Sequence, residues 1–225
     1  MTYCISDIHG CYTEFLALLE MIDFSMADTL YVLGDMIDRG EASLEVLQHI
    51  YAQPNMHALM GNHEMMMLDY FATPGKPHNF DWLANGGGEL LRHINALEQT
   101  PEGNAEWQEL WAWVKSLPLY HEITVNGTDY FLSHAGFNTA KPLDQQTPHD
   151  YVWSRDAFIP FPALKGKICI FGHTPTPSIR RNSDHTIWTD PIHHDKTGID
   201  CGCVYGGALA ALRLDDGEVF YITEA

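Results

Sequence analysis

Five short stretches of the chain combine carboxylate, imidazole and amide side chains with glycine. They are Ser6-Asp7-Ile8-His9-Gly10, Gly34-Asp35-Met36-Ile37-Asp38-Arg39-Gly40, Gly61-Asn62-His63-Glu64, His134-Ala135-Gly136 and Gly172-His173-Thr174. Oxygen and imidazole donors of this kind suit a divalent ion such as Mn, Fe or Zn. The set contains no cysteine, which argues against a structural zinc site. Asp7, His9, Asp35, Asn62, His134 and His173 are too many donors for one tetrahedral ion, but they suit two ions if one carboxylate bridges. Two ions some ~3.5–4 Å apart are a device for hydrolysing phosphate esters.

A lone Asp or His in a loop carries little information. The weight comes from what must position these residues. Thr2–Ser6, Thr29–Leu33 and His57–Met60 read as strands, and each runs into one of the first three stretches. Between them, Phe15, Leu18, Leu19 and Ile22 share a helical face, as do Leu44, Leu47 and Tyr51. This β-α-β-α-β order predicts a parallel sheet with right-handed crossovers. Asp129–Ser133 and Lys167–Phe171 are further strands that lead to His134 and Gly172-His173. In open α/β sheets ligands bind at the carboxyl ends of strands. Leu209–Leu214 and Glu218–Ile222 flank Asp215-Asp216-Gly217, a hairpin signal. In the middle, Thr73–Pro77 and Asn85-Gly86-Gly87-Gly88 read as loops. Trp107, Leu110, Trp111, Val114 and Leu117 form an apolar helix face that Pro118 ends. The expected organisation is one domain over 1–225, with a mainly helical insertion at about 68–118.

Lys plus Arg number 12 and Asp plus Glu 30, a formal charge of −18. That balance argues against nucleic acid or an anionic membrane as partner, because both need a basic footprint. No signal peptide and no bilayer-spanning stretch is expected. Five cysteines are an odd number for a disulfide framework and read as reduced thiols of a cytoplasmic protein.

Taken together, the five blocks resemble the signature of the metallophosphoesterase (calcineurin-like) superfamily. Asp38-Arg39-Gly40 is similar to its phosphoprotein phosphatase branch. Trp82–Gly88 and Val152-Trp153-Ser154-Arg155 resemble blocks of the small bacterial and bacteriophage lambda type. The resemblance runs from Tyr3 to about Leu214. It implies an α/β fold, a central β-sandwich of mixed sheets flanked by helices. It also implies a dinuclear centre, with manganese as the ion. Asp7 and His9 would bind the first ion, Asp35 would bridge, and Asn62, His134 and His173 would complete the second. His63 would be the general acid, oriented by Asp38, and Arg39 and Arg155 would grip the phosphate. A metal-bridged hydroxide would attack phosphorus directly. Guanidinium groups suit bidentate contact with phosphate oxygens.

The expected activity is a phosphomonoesterase, a serine/threonine protein phosphatase acting on phosphorylated protein or a small phosphoester. The alternatives are a symmetrical dinucleoside polyphosphate hydrolase and a phosphodiesterase. Asn85 is a candidate substrate contact, with a plain turn as the other reading. His193-His194-Asp195 reads as a solvent-facing loop, Glu64 as a support for its loop, and Met65-Met66-Met67 as a helix start.

Overall fold

The computed structural model describes residues 1–73 and 79–223. Of the loop expected at Thr73–Pro77, residues 74–77 lie outside the described residues. The chain opens with β1 (Thr2–Ile5), α1 (Tyr12–Met21), β2 (Thr29–Val32), α2 (Ser43–Ala52) and β3 (Met56–Ala58). Four helices follow: α3 (Asn62–Ala72), α4 (Asn79–Trp82), α5 (Gly88–Leu97) and α6 (Pro101–Ser116). The remainder runs β4 (Tyr120–Val125), β5 (Thr128–Ser133), α7 (Pro148–Trp153), β6 (Ile168–Phe171), α8 (Thr176–Arg180), β7 (Trp188–Thr189), β8 (Lys196–Gly198), β9 (Ala208–Arg213) and β10 (Val219–Thr223).

The strands form two five-stranded mixed sheets, ordered β10-β9-β1-β2-β3 and β4-β5-β6-β8-β7. β1, β2 and β3 pair in parallel, as the alternating order predicts. β9 and β10 make the expected antiparallel hairpin and attach to the free edge of β1. In the second sheet β5, β6 and β8 are parallel, and antiparallel β4 and β7 form its edges. Successive side chains on a strand face opposite ways, and that period builds the layers. Cys4, Leu132, Ile170 and Leu212 meet between the sheets with Leu33 and Leu59. Their neighbours Tyr3, Ile5, Phe131, Phe171 and Ala211 belong to the larger core, which also takes in Phe15 and Leu18 of α1 and Val152 of α7. The result is a β-sandwich flanked by helices.

Three strands escaped the sequence reading for local reasons. β4 is an edge strand whose residues alternate between exposed and half-buried. β7 has two residues, and β8 begins with a lysine and ends with a glycine. Asn85-Gly86-Gly87-Gly88 was expected as a loop and is instead a helical kink. Leu83–Gly87 makes a π-turn between α4 and α5, with Gly86 at φ +109°. α6 follows the expected face: Trp107, Leu110 and Val114 are buried, with Trp111 packed partly against them. Its start is fixed by Pro101 and by Thr100, whose hydroxyl accepts from Gly103 N at 3.1 Å.

His193 and His194 are exposed, as expected, but Asp195 turns inward. Lys196 is 1% exposed. It reaches Asp190 at 2.6 Å and Asp195 at 2.7 Å. Each carboxylate also accepts a backbone N–H, from Ile192 and Ala163. No helix among the described residues is long and apolar enough to cross a membrane.

Candidate metal centre and phosphate cavity

The parallel strands deliver the candidate donors to one place. Asp7 and His9 follow β1, Asp35 follows β2, Asn62 and His63 open α3 after β3, and His134 and His173 follow β5 and β6. All seven are buried. Each chain turn there is tight. Asp7, His9, Asp35, Asp38, Arg39 and His173 have φ between +47° and +73°, six of the ten non-glycine residues with positive φ among the described residues. Left-handed backbone costs an L-residue roughly 1–2 kcal/mol, so the surrounding fold must hold these turns. Glu64 supplies part of that hold. Its carboxylate accepts the backbone N–H of Asp35 and Gly61 on Oε2, both at 2.9 Å, and of Met36 on Oε1 at 2.8 Å. It joins the second and third loops, as expected of a support.

Asp35 lies at the middle. Its Oδ2 is 3.6 Å from His9 Nε2 and 3.9 Å from His63 Nε2, and its Oδ1 is 3.4 Å from His134 Nε2. Two donor groups share it: His9, Asp35 and His63 on one side, and Asp35, His134 and His173 on the other. Asn62 Oδ1 lies 2.9 Å from His134 Nε2 and 2.7 Å from His173 Nδ1. Asp7 Oδ1 is 3.9 Å from His9 Nε2. Its Oδ2 accepts from the Ser6 hydroxyl and from His173 N at 2.9 Å.

Whether these residues fit divalent ions is answered by the imidazole tautomers. A carbonyl oxygen can only accept, so His9 Nδ1 and His134 Nδ1 carry hydrogen toward Ile37 O (2.8 Å) and Leu33 O (2.7 Å). Their Nε2 atoms are then left facing Asp35. A metal-ligating histidine is oriented in this way. The donor set fits.

The buried charges pull one another apart. Burial pushes Asp7 up to about 6, with Asp35 adding to the push. Burial takes His9 down to about 3. His173 falls to about 2 through burial and the charge of His134. Burial also opposes a charged His134, yet Asp35 outweighs it and lifts that imidazole to about 9. Opposed shifts of this size in one cleft mark a candidate functional site.

His63 Nδ1–H donates to Asp38 Oδ2 at 2.6 Å. Burial disfavours its charged form, but Asp35 and Asp38 outweigh burial and raise its pKa. Asp38 itself is raised by burial despite that partner. Arg39 and Arg155 stand exposed at the rim. Arg39 Nη1 reaches His9 Nε2, and Arg155 Nε–H donates to His173 Nε2 at 2.9 Å. A cavity of about 220 Å³ opens between them, lined by Asp35, Asn62 and His173. Asn85 also lines it, with its Nδ2 donating back to Asp81 O at 2.7 Å.

Sequence reasoning missed three residues of this region. Trp82 Nε1–H donates to both oxygens of Asp38, at 3.0 and 2.9 Å. Tyr205 is 60% exposed beside the cavity, with the Arg39 guanidinium 5.4 Å over its ring. The third is Asp200. It does accept Gly202 N at 2.9 Å, but it also lines the cavity, and burial, then Asp7, holds its pKa well above the carboxylate range. For Trp82 a signal existed: a buried indole N–H needs an acceptor.

The calcineurin-like phosphoesterase signature matches residues 2–212. A symmetrical bis(5'-nucleosyl)-tetraphosphatase of Chromobacterium violaceum is 30% identical, over 97% of this chain and 93% of that protein. Serine/threonine-protein phosphatase 1 of Salmonella typhimurium is 31% identical, over 94% and 91%. The crystal structure of a metallophosphoesterase from Sphaerobacter thermophilus shares the fold, with a TM-score of 0.57 at 17% identity, covering 100% of this chain and 88% of that one.

Proposed function

This chain belongs to the calcineurin-like phosphoesterase family, and from that premise we propose that it is a metal-dependent phosphomonoesterase acting on phosphoserine and phosphothreonine in proteins. The observation that carries the substrate class is the shape and charge around Arg39. The cavity of about 220 Å³ suits a phosphoryl group on a short side chain; sites for larger ligands usually run to ~300–1,000 Å³. Past Arg39 the surface opens into a second hollow lined by Glu41, Glu45 and Glu89. A polyphosphate leaving the cavity that way meets Glu41, Glu45 and a Glu89 already paired with Arg92, whereas a peptide with basic flanks is welcome there.

In this reading Asp7 and His9 would hold one divalent ion, Asn62, His134 and His173 would hold the other, and Asp35 would serve both. Manganese is the proposed ion, and iron or zinc fits the same donors. Bound there, the two ions neutralise phosphoryl charge and make a water acidic enough to attack. Arg39 and Arg155 turn from the imidazoles to the phosphoryl oxygens and hold the dianion in line. As the water oxygen bonds to phosphorus, the ester P–O bond breaks and its electron pair goes to the leaving oxygen. That oxygen takes the Nε2 proton of His63, and the proton lost by water is returned through solvent. Asp38 keeps His63 aimed and protonated. His63→Asn is expected to slow turnover of a phosphoserine peptide by roughly 10²-fold or more with metal content unchanged.

The mainly helical stretch at about 68–118 is taken as an insertion within one catalytic unit spanning 1–225. The buried thiols of Cys4, Cys169 and Cys201 fit a reducing, cytoplasmic setting.

A second reading, symmetrical dinucleoside polyphosphate hydrolysis, is favoured by Tyr205, an exposed ring that could stack on a base, and by the Chromobacterium relative. The deciding assay offers manganese-loaded protein a phosphoserine peptide and diadenosine tetraphosphate at equal concentration. Phosphate released from the peptide, with the dinucleotide intact, is the expected result. Two ADP per dinucleotide with a slow peptide would replace the substrate and leave the site assignments standing.

A further inference from the structure

Trp82 reaches the site from outside the strand-end loops. It is 0% exposed and lies in α4, 44 residues along the chain from Asp38. Its ring packs among Tyr70 and Phe71 of α3, with centroids at 4.9 and 5.9 Å. Those contacts would be met by any aromatic ring. The indole nitrogen does something more specific: it bisects the Asp38 carboxylate, 3.0 Å from Oδ1 and 2.9 Å from Oδ2. Oδ2 is the oxygen that holds His63 Nδ1. Asp38 therefore has a donor on each side, one from the acid it orients and one from the helical stretch.

The backbone around Trp82 is shaped to allow this. A Cβ on Gly87 would sit 2.3 Å from the Trp82 ring, so only glycine lets α5 start against it. At Gly86, with φ +109°, a Cβ would come within 2.8 Å of Arg39 N, the group that donates to Gly86 O at 3.3 Å. The same kink thus touches both residues of the Asp38-Arg39 pair, the first through an indole and the second through a peptide bond.

We propose that Trp82 is a positioning residue for the leaving-group proton: its indole N–H fixes the Asp38 carboxylate, which in turn aims His63 Nε2 at the leaving oxygen. The inference rests on the reading of His63 as the general acid. It assigns the α4–α5 kink a part in turnover that packing alone would not give it.

A purely structural Trp82 and a positioning Trp82 differ in how they treat leaving groups. A phosphoserine peptide leaves as an alkoxide and needs the proton, whereas para-nitrophenyl phosphate leaves as a stabilised phenolate and needs it little. Trp82→Phe keeps an aromatic ring and removes the N–H. In the metal-loaded enzyme it should slow kcat on the peptide about tenfold, the low end of what supporting partners contribute at such centres, and change kcat on para-nitrophenyl phosphate by less than about threefold. An equal fall on both substrates, or a fall on neither, overturns the proposal. His63→Asn serves as the reference. If it discriminates between the two substrates and Trp82→Phe does not, the proposal fails and the acid assignment stands. If His63→Asn also slows both equally, the acid assignment fails and takes the proposal with it. Should Trp82→Phe not fold, the zinc-loaded parent protein provides an independent measure. Its Trp82 indole proton should be protected from solvent exchange and shift in the proton–nitrogen spectrum on Asp38→Asn. Exchange at the rate of a free indole, or no shift, overturns the proposal equally.

Discussion

Two clusters of buried charge sit in the same molecule and are built on opposite plans. Around Lys196, one cation lies between Asp190 and Asp195, and both carboxylates spend their spare oxygens on backbone N–H groups. Burial raises Asp190, yet its hydrogen bond from Lys196 and those from backbone N–H groups outweigh it and leave the carboxyl below its usual range. Nothing there is left over. At the strand ends, by contrast, four histidines crowd Asp7 and Asp35, and pKa values there are driven apart, His173 down to about 2 and His134 up to about 9. A closed cluster holds strands together; an unbalanced one is prepared for charge that arrives from outside. The distinction lies in satisfaction, not in burial, since Lys196 and Asp190 are as buried as the strand-end residues.

Removing the shared carboxylate should break the comparison most severely. Asp35→Asn is expected to lose more than roughly 100-fold in turnover, since even supporting partners of a metal contribute 10–100-fold. It should also fail to retain two ions by elemental analysis of the folded protein. A variant that still binds two ions per chain would remove Asp35 from the bridge. Lys196→Met tests the other cluster. It strands two carboxylates, and breaking such a buried pair typically costs about 3–5 kcal/mol, read as a lower urea midpoint. Turnover per folded molecule should be unchanged, and adding Asp190→Asn should recover part of the loss. A stability loss below about 1 kcal/mol, the range of surface pairs, would make the cluster no more than that.

The smallest effect belongs to a third, half-exposed cluster. Asp150 accepts from Thr147 N and Thr147 Oγ1 at the start of α7, and from Lys141 Nζ at 2.7 Å. Burial pushes Asp150 up, but Lys141 and Thr147 outweigh it and hold the carboxyl down to about 2. Its stabilisation is complete above the ordinary carboxylate range and is lost as pH falls toward 2, because the unfolded chain takes up the proton first. Asp150→Asn should cost about 1 kcal/mol at pH 7 and clearly less at pH 2. Equal loss at both values would assign the effect to packing.

The sequence made the strand-end loops legible because each follows a run of apolar residues and each mixes donors with glycine. Asp7, Asp35 and His134 could be read as neighbours before any distance was known, since parallel strands must present their ends together. Chemistry of side chains that work across the fold was not legible in the same way. Trp82 opens a block that carries the resemblance, but nothing in that block assigns its N–H to Asp38 until the two are seen together. Tyr205 and Asp200 stand in a late loop that carries no donor pattern. The kink at Gly86 reads as a turn because three successive glycines usually make one, whereas the close approach of Gly86 to Arg39 and of Gly87 to the Trp82 ring sets it between two helices. Similarly, β7 and β8 are too short for any period to register, and pairing makes them strands, β8 with β6 and β7 with β8.

The left-handed turns at Asp7, His9, Asp35, Asp38, Arg39 and His173 set heat resistance and turnover against each other in selection. Glycine adopts that backbone without penalty, so replacing any of the six relieves the turn while deleting the side chain. A library of variants sorted for heat resistance alone would therefore accumulate glycine at these positions, and one sorted for turnover would purge it. At these six positions the chain carries a backbone conformation that glycine would adopt at less cost. The contrast between the two sorted libraries would draw the outline of the working site without a structure in hand.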